Sequence, residues 1–154
     1  MKNVSFFTLF FMFFLFLANL SAQSNEMMDQ FFSNDQADLG TSTYLILASA
    51  GKIEESSSIE DALLWLEKED ISNMMINLDA GRDITYGELA YLMMEVYSIK
   101  GGLMYSIFPG PRYAAREVAY RKWISGRSMP GRSLKPNEVV NALMQLIDEM
   151  EKIK

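Results

Sequence analysis

The spacing of apolar side chains is the feature of this sequence that most restricts its fold. From about residue 40 onward these side chains recur every three to four positions, which places them along one side of a helix. The stretch that begins at Ser58 is an example, with apolar residues at Ile59, Ala62, Leu63 and Leu66. The spacing predicts an all-α protein, folded as a compact bundle of about five helices.

Capping patterns and turn residues set the predicted ends of these helices. Two Ser or Thr residues are each followed three positions later by a carboxylate, as in a capping box: Ser58 with Asp61, and Thr85 with Glu88. The apolar segment 103–111 ends in Pro109-Gly110-Pro111 and is therefore predicted to lack regular structure. The five predicted helices cover residues 40–50, 58–69, 85–100, 111–123 and 136 onward, each to within a few positions.

The first 22 residues have the pattern of a secretory signal peptide. Lys2 precedes an almost wholly apolar run, Phe6 to Leu17, and small residues then lead to Ala22. Even when it is extended to Leu20, this run has about 15 residues, fewer than the roughly 18 to 20 that span a bilayer as a helix. We therefore expect cleavage after Ala22, and the alternative is an uncleaved N-terminal anchor.

The mature chain would have 132 residues (154 minus 22), the size of one ordinary domain. Residues 23–37 are predicted to form a polar lead-in, either a short helix or a loosely held segment, and residues 38–154 are predicted to form a single helical domain. No cysteine is present, so export is not combined with disulfide bonds. These features favour an exported bacterial protein of the periplasm or the exterior.

The lack of histidine and cysteine restricts the chemistry that this chain could carry out. Histidine is the usual general base and the commonest metal ligand, and a cysteine thiolate is a frequent nucleophile. Without them we predict a non-enzymatic protein with no catalytic residues, no metal site and no cofactor. A small hydrolase that uses carboxylates is the alternative from another class, although the acidic clusters 54–55, 60–61 and 67–70 have the spacing of solvated helix faces.

Two parts of the sequence align with each other, which indicates an internal repeat. Residues 84–93 match residues 134–143 at an offset of 50, and each stretch includes the start of a predicted helix. A weaker match relates Gly40 and Tyr44-Leu45 to Gly87 and Tyr91-Leu92 at an offset of 47. Two to three degenerate helix-loop-helix units of nearly equal length are therefore predicted.

These units resemble S-layer-homology repeats, in which a Gly-containing turn leads through a short loop to an Ile-Thr-Arg-x-Glu helix start. The motif residues here are Trp123-Ile124-Ser125-Gly126 followed by Leu134 to Glu138, and Ile84-Thr85-Tyr86-Gly87-Glu88 in the preceding unit. The resemblance covers roughly two thirds of the mature chain and implies a helical repeat domain that binds cell-wall polysaccharide. Tyr86 and Pro136 replace the motif arginine, which contributes to recognition of the anionic polymer in that family. A wall-polymer or peptidoglycan binding module is thus the alternative function.

Charge is divided unevenly along the chain. Residues 23–95 hold 15 acidic and 3 basic side chains, a net charge of −12, whereas residues 96–135 hold 8 basic side chains and 1 acidic, a net charge of +7. The mature chain is negative overall, which argues against nucleic acid as the main partner. The basic segment instead indicates an anionic partner, either an acidic protein surface or an anionic envelope polymer. A membrane partner is expected only if residues 1–22 are retained.

The candidate binding residues lie in the basic segment, mostly on the predicted helix 111–123. An arc of about 100° on that helix contains Arg112, Tyr113, Arg116, Tyr120 and Trp123, and Arg132 lies in the next loop. Guanidinium groups bind carboxylates through paired hydrogen bonds while aromatic rings pack against the partner. The leading hypothesis is an interaction protein of the cell envelope whose segment 103–132 docks an acidic protein surface. In the alternative interpretation, the arginines pair with the protein's own acidic half and the aromatic rings complete the core.

Overall fold

A computed structural model describes residues 26–153, so the predicted signal peptide, residues 1–22, lies outside the described residues. The described part is compact and all-α, as predicted, and no strand occurs between residues 26 and 153. Two isolated β-bridges, Asp38 with Asp83 and Thr85 with Ser133, lie beside helix starts. No helix within this range has both the length and the apolar composition that a membrane span requires.

Seven α-helices and one 3-10 helix occur in residues 26–153, two α-helices more than the sequence predicts. Helix α1 covers residues 26–33, within the segment predicted as a polar lead-in, and it buries Phe31. The others are α2 (Leu39–Ser49), α3 (Ile59–Lys68), the 3-10 helix (Ile71–Met74), α4 (Tyr86–Val96), α5 (Leu103–Ile107), α6 (Pro111–Arg121) and α7 (Pro136–Ile153).

Both predicted capping boxes are formed. At α3, the Ser58 hydroxyl accepts a hydrogen bond from the Asp61 amide at 3.1 Å, and the Asp61 carboxylate accepts one from the Ser58 amide at 3.0 Å. Thr85 and Glu88 form the same two bonds at the start of α4, at 3.3 and 3.1 Å. Because each box satisfies amide groups that a helix start leaves without partners, the local sequence is enough to place these two starts.

Helix α4 is the centre of the core. Nearly all of its residues are buried, as expected for a helix that is apolar on all sides. It packs against α2 and, more extensively, against α6, whose buried side consists of Ala114, Ala115 and Val118. These small side chains let the two backbones approach closely: a Cβ atom added to Gly87 would lie 3.1 Å from the Pro111 carbonyl oxygen. The opposite side of α6 consequently faces away from the core.

A ring of three backbone hydrogen bonds joins the starts of α2, α4 and α7. The Ala37 amide donates to the Leu134 carbonyl (2.7 Å), the Ile84 amide donates to the Ala37 carbonyl (2.9 Å), and the Leu134 amide donates to the Ile84 carbonyl (3.2 Å). All three residues are fully buried, and an unpaired amide at such a position would cost about 1–3 kcal/mol. The ring therefore fixes the three helix starts relative to one another.

Further backbone hydrogen bonds link the starts of α2 and α4 to distant loops. The donor amides and acceptor carbonyls are Leu39 to Arg82 (2.8 Å), Gly40 to Ala80 (2.9 Å), Tyr86 to Arg132 (2.8 Å) and Gly87 to Pro130 (2.9 Å). The partners in each bond are 40 or more positions apart in the sequence. Together with the ring, these bonds hold the starts of α2, α4 and α7 at one junction without a sheet.

Three boundaries differ from those predicted. Helix α4 ends at Val96 and not near residue 100, and Ser98 just beyond it has a left-handed backbone (φ 53°). The prediction that segment 103–111 lacks regular structure is wrong for its first half, because α5 forms and ends before Pro109, and proline restricts only the residue directly before it. Helix α6 is shorter than predicted, because the left-handed backbone of Lys122 (φ 61°) ends the helix at Arg121. Trp123 therefore lies beyond α6, and the prediction that it shares the helical arc is wrong.

Candidate binding face

The six predicted binding residues fall into two groups in the structure. Arg112, Tyr113, Arg116 and Tyr120 lie on the outer side of α6, and we call these four residues the α6 stripe. Trp123 and Arg132 lie in the segment that follows α6, and both side chains are engaged in contacts within the protein. The structure thus brings four of the six predicted residues together on one face.

The α6 stripe is exposed because the two sides of this helix differ in composition. The small and branched apolar residues of α6 face α4, so Arg112, Arg116 and Tyr120 point outward, whereas Tyr113 is half-buried at the edge of the core. Tyr120 is 87% exposed, and Arg112 and Arg116 are also exposed. Among residues 26–153, neither arginine forms an ion pair. Two guanidinium groups one helical turn apart are therefore accessible to a partner.

Aromatic rings extend the stripe toward α5. The Phe108 and Tyr113 rings are stacked, with centroids 6.3 Å apart and an interplanar angle of 28°. The guanidinium carbon of Arg116 lies 5.6 Å from the centre of the Tyr113 ring, within cation–π range. These three side chains form one continuous surface that is apolar at Phe108 and cationic at Arg116. Phe108 belongs to the predicted segment 103–132, but no signal in the sequence distinguishes it from a core residue.

Trp123 has a structural role. It is only 3% exposed, and its indole Nε1 donates a hydrogen bond to the Glu149 carboxylate at 2.6 Å. Arg121 pairs with the same carboxylate at 2.9 Å, and its guanidinium carbon lies 5.0 Å from the centre of the indole ring. The three residues connect the end of α6 to α7, so Trp123 offers no surface to a ligand.

Arg132 is also committed to contacts within the protein. Its guanidinium group lies 2.9 Å from the Glu138 carboxylate and donates to the carbonyls of Ser125 and Arg127 at 3.2 and 3.1 Å. The guanidinium carbon lies 5.6 Å from the centre of the Tyr86 ring. A partner could bind Arg132 only by displacing one of these contacts, so we exclude it from the binding face.

Glu88 is the most deeply buried acidic side chain near the helix junction. Burial alone would raise its pKa, but hydrogen bonds from the Arg82 guanidinium, from the hydroxyl and amide of Thr85 and from the Ile76 amide outweigh that effect. The pKa of Glu88 therefore lies below its ordinary value. A carboxylate that is held ionised by so many donors is part of the framework and is not a candidate proton donor.

Helix α5 adds an apolar surface next to the α6 stripe. Its exposed residues are Leu103, Met104, Ile107 and the adjacent Phe108, which we call the α5 patch, and each is between 50 and 71% exposed. Tyr105 of the same helix is buried, and its hydroxyl donates a hydrogen bond to the Glu95 carboxylate. Burial and then this carboxylate raise the pKa of Tyr105, so the hydroxyl remains a donor at neutral pH.

Two open cavities lie near the helix junction, away from the α6 stripe. One, of about 580 Å³, has Asp38, Glu60 and Gly81 among its lining residues, and the other, of about 420 Å³, includes Asp35 and Lys135. None of the six predicted binding residues lines either cavity. No group of three or more acidic side chains between residues 26 and 153 is arranged to hold a metal ion.

Comparison with known proteins gave no match to a family model, to a curated protein or to a solved structure. The binding face must therefore be interpreted from its own chemistry. That chemistry is two accessible guanidinium groups, a stacked aromatic pair and an apolar patch on two consecutive helices.

Proposed function

We propose that this chain is an exported, non-enzymatic interaction protein of the bacterial cell envelope that docks an acidic surface of a protein partner through the α6 stripe. The observation that carries this proposal is the state of its arginines. Arg82, Arg121 and Arg132 each pair with a carboxylate of the protein, whereas Arg112 and Arg116 are exposed without such a partner among residues 26–153.

This difference separates the two interpretations of the basic segment. Pairing with the protein's own carboxylates accounts for three of the six arginines. Of the three without such a partner among residues 26–153, Arg127 lies in a loop, and only Arg112 and Arg116 share one helix face. A guanidinium group can form two parallel hydrogen bonds with a carboxylate, and the rings of Tyr113 and Tyr120 offer flat contact area beside it. Opposite charge also accelerates the encounter with an acidic partner, and salt weakens this effect.

The non-enzymatic part of the proposal is supported by the sequence, which lacks histidine and cysteine. Export is supported by the signal-peptide pattern of residues 1–22. Intact-mass measurement of the native product tests the export step directly, because cleavage after Ala22 removes a defined mass. A product that retains residues 1–22 would indicate an anchored protein instead.

Affinity capture from an envelope extract tests the docking step. We expect the double variant Arg112→Glu/Arg116→Glu to recover the partner at least about tenfold less efficiently than wild type at moderate salt. Lys52→Glu/Lys68→Glu is the matched control, because it makes the same change in net charge at exposed residues outside segment 103–132. Equal recovery of the partner by wild type and by the stripe variant would contradict the proposal. An equal loss of recovery in the stripe variant and in the control variant would also contradict it, because the attraction would then depend on net charge and not on the stripe.

A wall-polymer binding module with two to three degenerate repeats is the second candidate. It is supported by the offsets between equivalent contacts at the helix junction. In the ring, Ile84 lies 47 positions after Ala37, and Leu134 lies 50 positions after Ile84. In the adjacent bonds, the donors Leu39 and Tyr86 are 47 positions apart, and their acceptors Arg82 and Arg132 are 50 positions apart. The same 50-residue offset relates the Arg82–Glu88 pair to the Arg132–Glu138 pair. These offsets equal those of the sequence matches on which the S-layer-homology resemblance depends.

Co-sedimentation with purified sacculi tests this second candidate. A polymer-binding module should pellet with sacculi that carry their anionic polymer and remain soluble once that polymer has been extracted. Added salt should release it, because the attraction would be largely electrostatic. Failure to pellet with untreated sacculi would leave only the architectural resemblance.

A further inference from the structure

The α5 patch is a compact apolar surface that the fold leaves uncovered. Its four large apolar side chains, from Leu103 to Phe108, occupy a stretch of six residues, and each is at least half exposed. Single exposed apolar residues are ordinary, whereas a contiguous group on one short helix marks an interaction surface. The nature of its partner has to be derived from what surrounds it.

The protein holds α5 in a fixed position. Tyr105 anchors it to Glu95 on α4, and Gly101 lies so close under Tyr105 that an added Cβ atom would be 2.7 Å from the Tyr105 Cβ. The Phe108 ring is stacked on Tyr113 of α6. The outward direction of the patch is thus a consequence of buried contacts on the other side of the chain.

The charges that flank the patch along the chain are almost all positive. Residues 97–132 contain seven basic side chains and one acidic side chain, Glu117, which is half-buried beside Gly102. Lys100 precedes the patch, and Arg112 and Arg116 follow it, all three exposed. From Phe108 through Tyr113 to Arg116, the surface passes from apolar to aromatic to cationic.

We infer that the α5 patch inserts into the interfacial region of an anionic lipid bilayer. The four apolar side chains would enter the boundary of the acyl chains, Tyr113 would lie at the level of the headgroups, and Lys100, Arg112 and Arg116 would contact lipid phosphates. The acidic first half of the chain, with a net charge of −12 over residues 23–95, would be repelled by the same surface and would favour this one orientation.

The composition of the face favours lipid over protein as the occupant of the patch. A protein interface surrounds its apolar centre with a rim of both donors and acceptors. Among residues 97–132, which flank the α5 patch along the chain, the exposed charged side chains are all cations, and a bilayer with anionic headgroups requires no other charge. This contact would be made by the folded domain itself, so it differs from the membrane contact expected only with residues 1–22 retained. It does not require the proposed protein partner, but it uses Arg112 and Arg116 of the α6 stripe, so lipid and that partner would compete for these two residues.

A single fluorescent label can test this insertion, since the chain has no cysteine of its own. Met104→Cys places an environment-sensitive dye in the α5 patch, and Ser56→Cys places it at an exposed site remote in the sequence. The mature chain, residues 23–154, is mixed with phosphatidylethanolamine vesicles that contain about 30% phosphatidylglycerol, or with phosphatidylcholine vesicles. We expect a several-fold rise in emission at position 104 with the anionic vesicles only, reversed by about 0.5 M salt, and no response at position 56.

Matched apolar substitutions test whether the α5 patch, and not another exposed apolar part of the protein, inserts into the membrane. Leu103→Ser/Ile107→Ser should weaken the response of the dye at position 104 at least about tenfold, whereas Leu64→Ser/Ile76→Ser, at exposed positions elsewhere, should leave it unchanged. Because all four positions are exposed, the helical dichroism of both variants should equal that of wild type. A silent label at position 104, a response that survives Leu103→Ser/Ile107→Ser, or a response to polyglutamate without one to vesicles would each overturn the inference. Capture of a protein partner by the α6 stripe could still succeed in every one of these cases.

Discussion

The guanidinium group of Arg82 lies 2.7 Å from the carboxylate of Glu88, and the two side chains are only 14% and 3% exposed. The pair connects the loop before α4 to the first turn of that helix. The same Glu88 carboxylate completes the capping box with Thr85. One carboxylate therefore accepts a hydrogen bond from the amide at a helix start and also neutralises the charge of a largely buried arginine. The loop and the helix cannot separate without leaving a charge unpaired.

Removal of one partner of this pair should be among the most damaging single changes in the protein. Arg82→Ala leaves Glu88 buried without its counter-charge, and we expect a loss of about 3–5 kcal/mol in the free energy of unfolding, measured by urea denaturation. Lys152→Ala is the control, because Lys152 and Asp148 form an exposed pair whose loss should have little effect on stability. Similar losses in the two variants would contradict the structural role assigned to Arg82.

The pH dependence of stability should report the same carboxylate. The pKa of Glu88 in the folded state lies below its ordinary value of 4.5. Its stabilising contribution is therefore fully present above about pH 4.5 and is lost as the pH falls through the lower, folded-state pKa. The difference in free energy of unfolding between wild type and Glu88→Gln should shrink as the pH is lowered from about 6 to about 3. A difference that stays constant over this range would show that Glu88 is not held ionised by the fold.

Close packing of α4 against α6 gives a test that involves no charge. A Cβ atom at position 87 would lie 3.1 Å from the carbonyl oxygens of Pro111 and Pro130, and the second carbonyl already accepts the Gly87 amide at 2.9 Å. Both oxygens belong to the backbone and cannot rotate away, so we expect Gly87→Ala to cost about 1–3 kcal/mol in thermal or urea unfolding. Gly131→Ala, where an added Cβ meets nothing within 4 Å, should change stability by less than about 0.5 kcal/mol. A neutral Gly87→Ala would mean that the two helices can separate slightly at no cost.

Local signals in the sequence are sufficient for most of the helical framework. The boxes at Ser58 and Thr85 fix helix starts through residues three positions apart, and the apolar periodicity identifies α4 as the central helix. Helix α5 escapes prediction because Pro109 and Pro111 suggest that the whole segment is irregular, although their restriction acts only on the positions next to them.

The binding face is predictable only where exposure follows from helical periodicity. Arg112, Arg116 and Tyr120 can be assigned to the outer side of α6 because helical periodicity places the apolar residues Ala114, Ala115 and Val118 on the opposite side. The position of Trp123 cannot be predicted in this way, because its partner Glu149 lies 26 positions later, beyond any local pattern. The role of Arg132 is recognisable in principle, since Arg82 and Glu88 recur as Arg132 and Glu138 at the 50-residue offset of the predicted repeat.

The exposure of the α5 patch cannot be predicted from the sequence. Leu103, Met104 and Ile107 form an apolar run that is indistinguishable in composition from the core segments of α2 or α4. Which of these segments is buried depends on the tertiary arrangement. In α5 only Tyr105 is buried, and its hydroxyl donates a hydrogen bond to the Glu95 carboxylate. Surfaces of this kind emerge only once the packing of the neighbouring helices is known.

The stability of variants at Arg112 should show that the α6 stripe is dispensable for folding. Arg112 lies in the first turn of α6, where the helix dipole disfavours a cation, and no carboxylate between residues 26 and 153 compensates it with an ion pair. We therefore expect Arg112→Glu to leave the free energy of unfolding unchanged or to raise it by up to about 1 kcal/mol. Arg132→Gln, which breaks the half-buried pair with Glu138, should instead lower it by about 1–3 kcal/mol. If Arg112→Glu were as destabilising as Arg132→Gln, the stripe would be part of the framework. If it is neutral while partner capture is lost, Arg112 is retained for binding and not for folding.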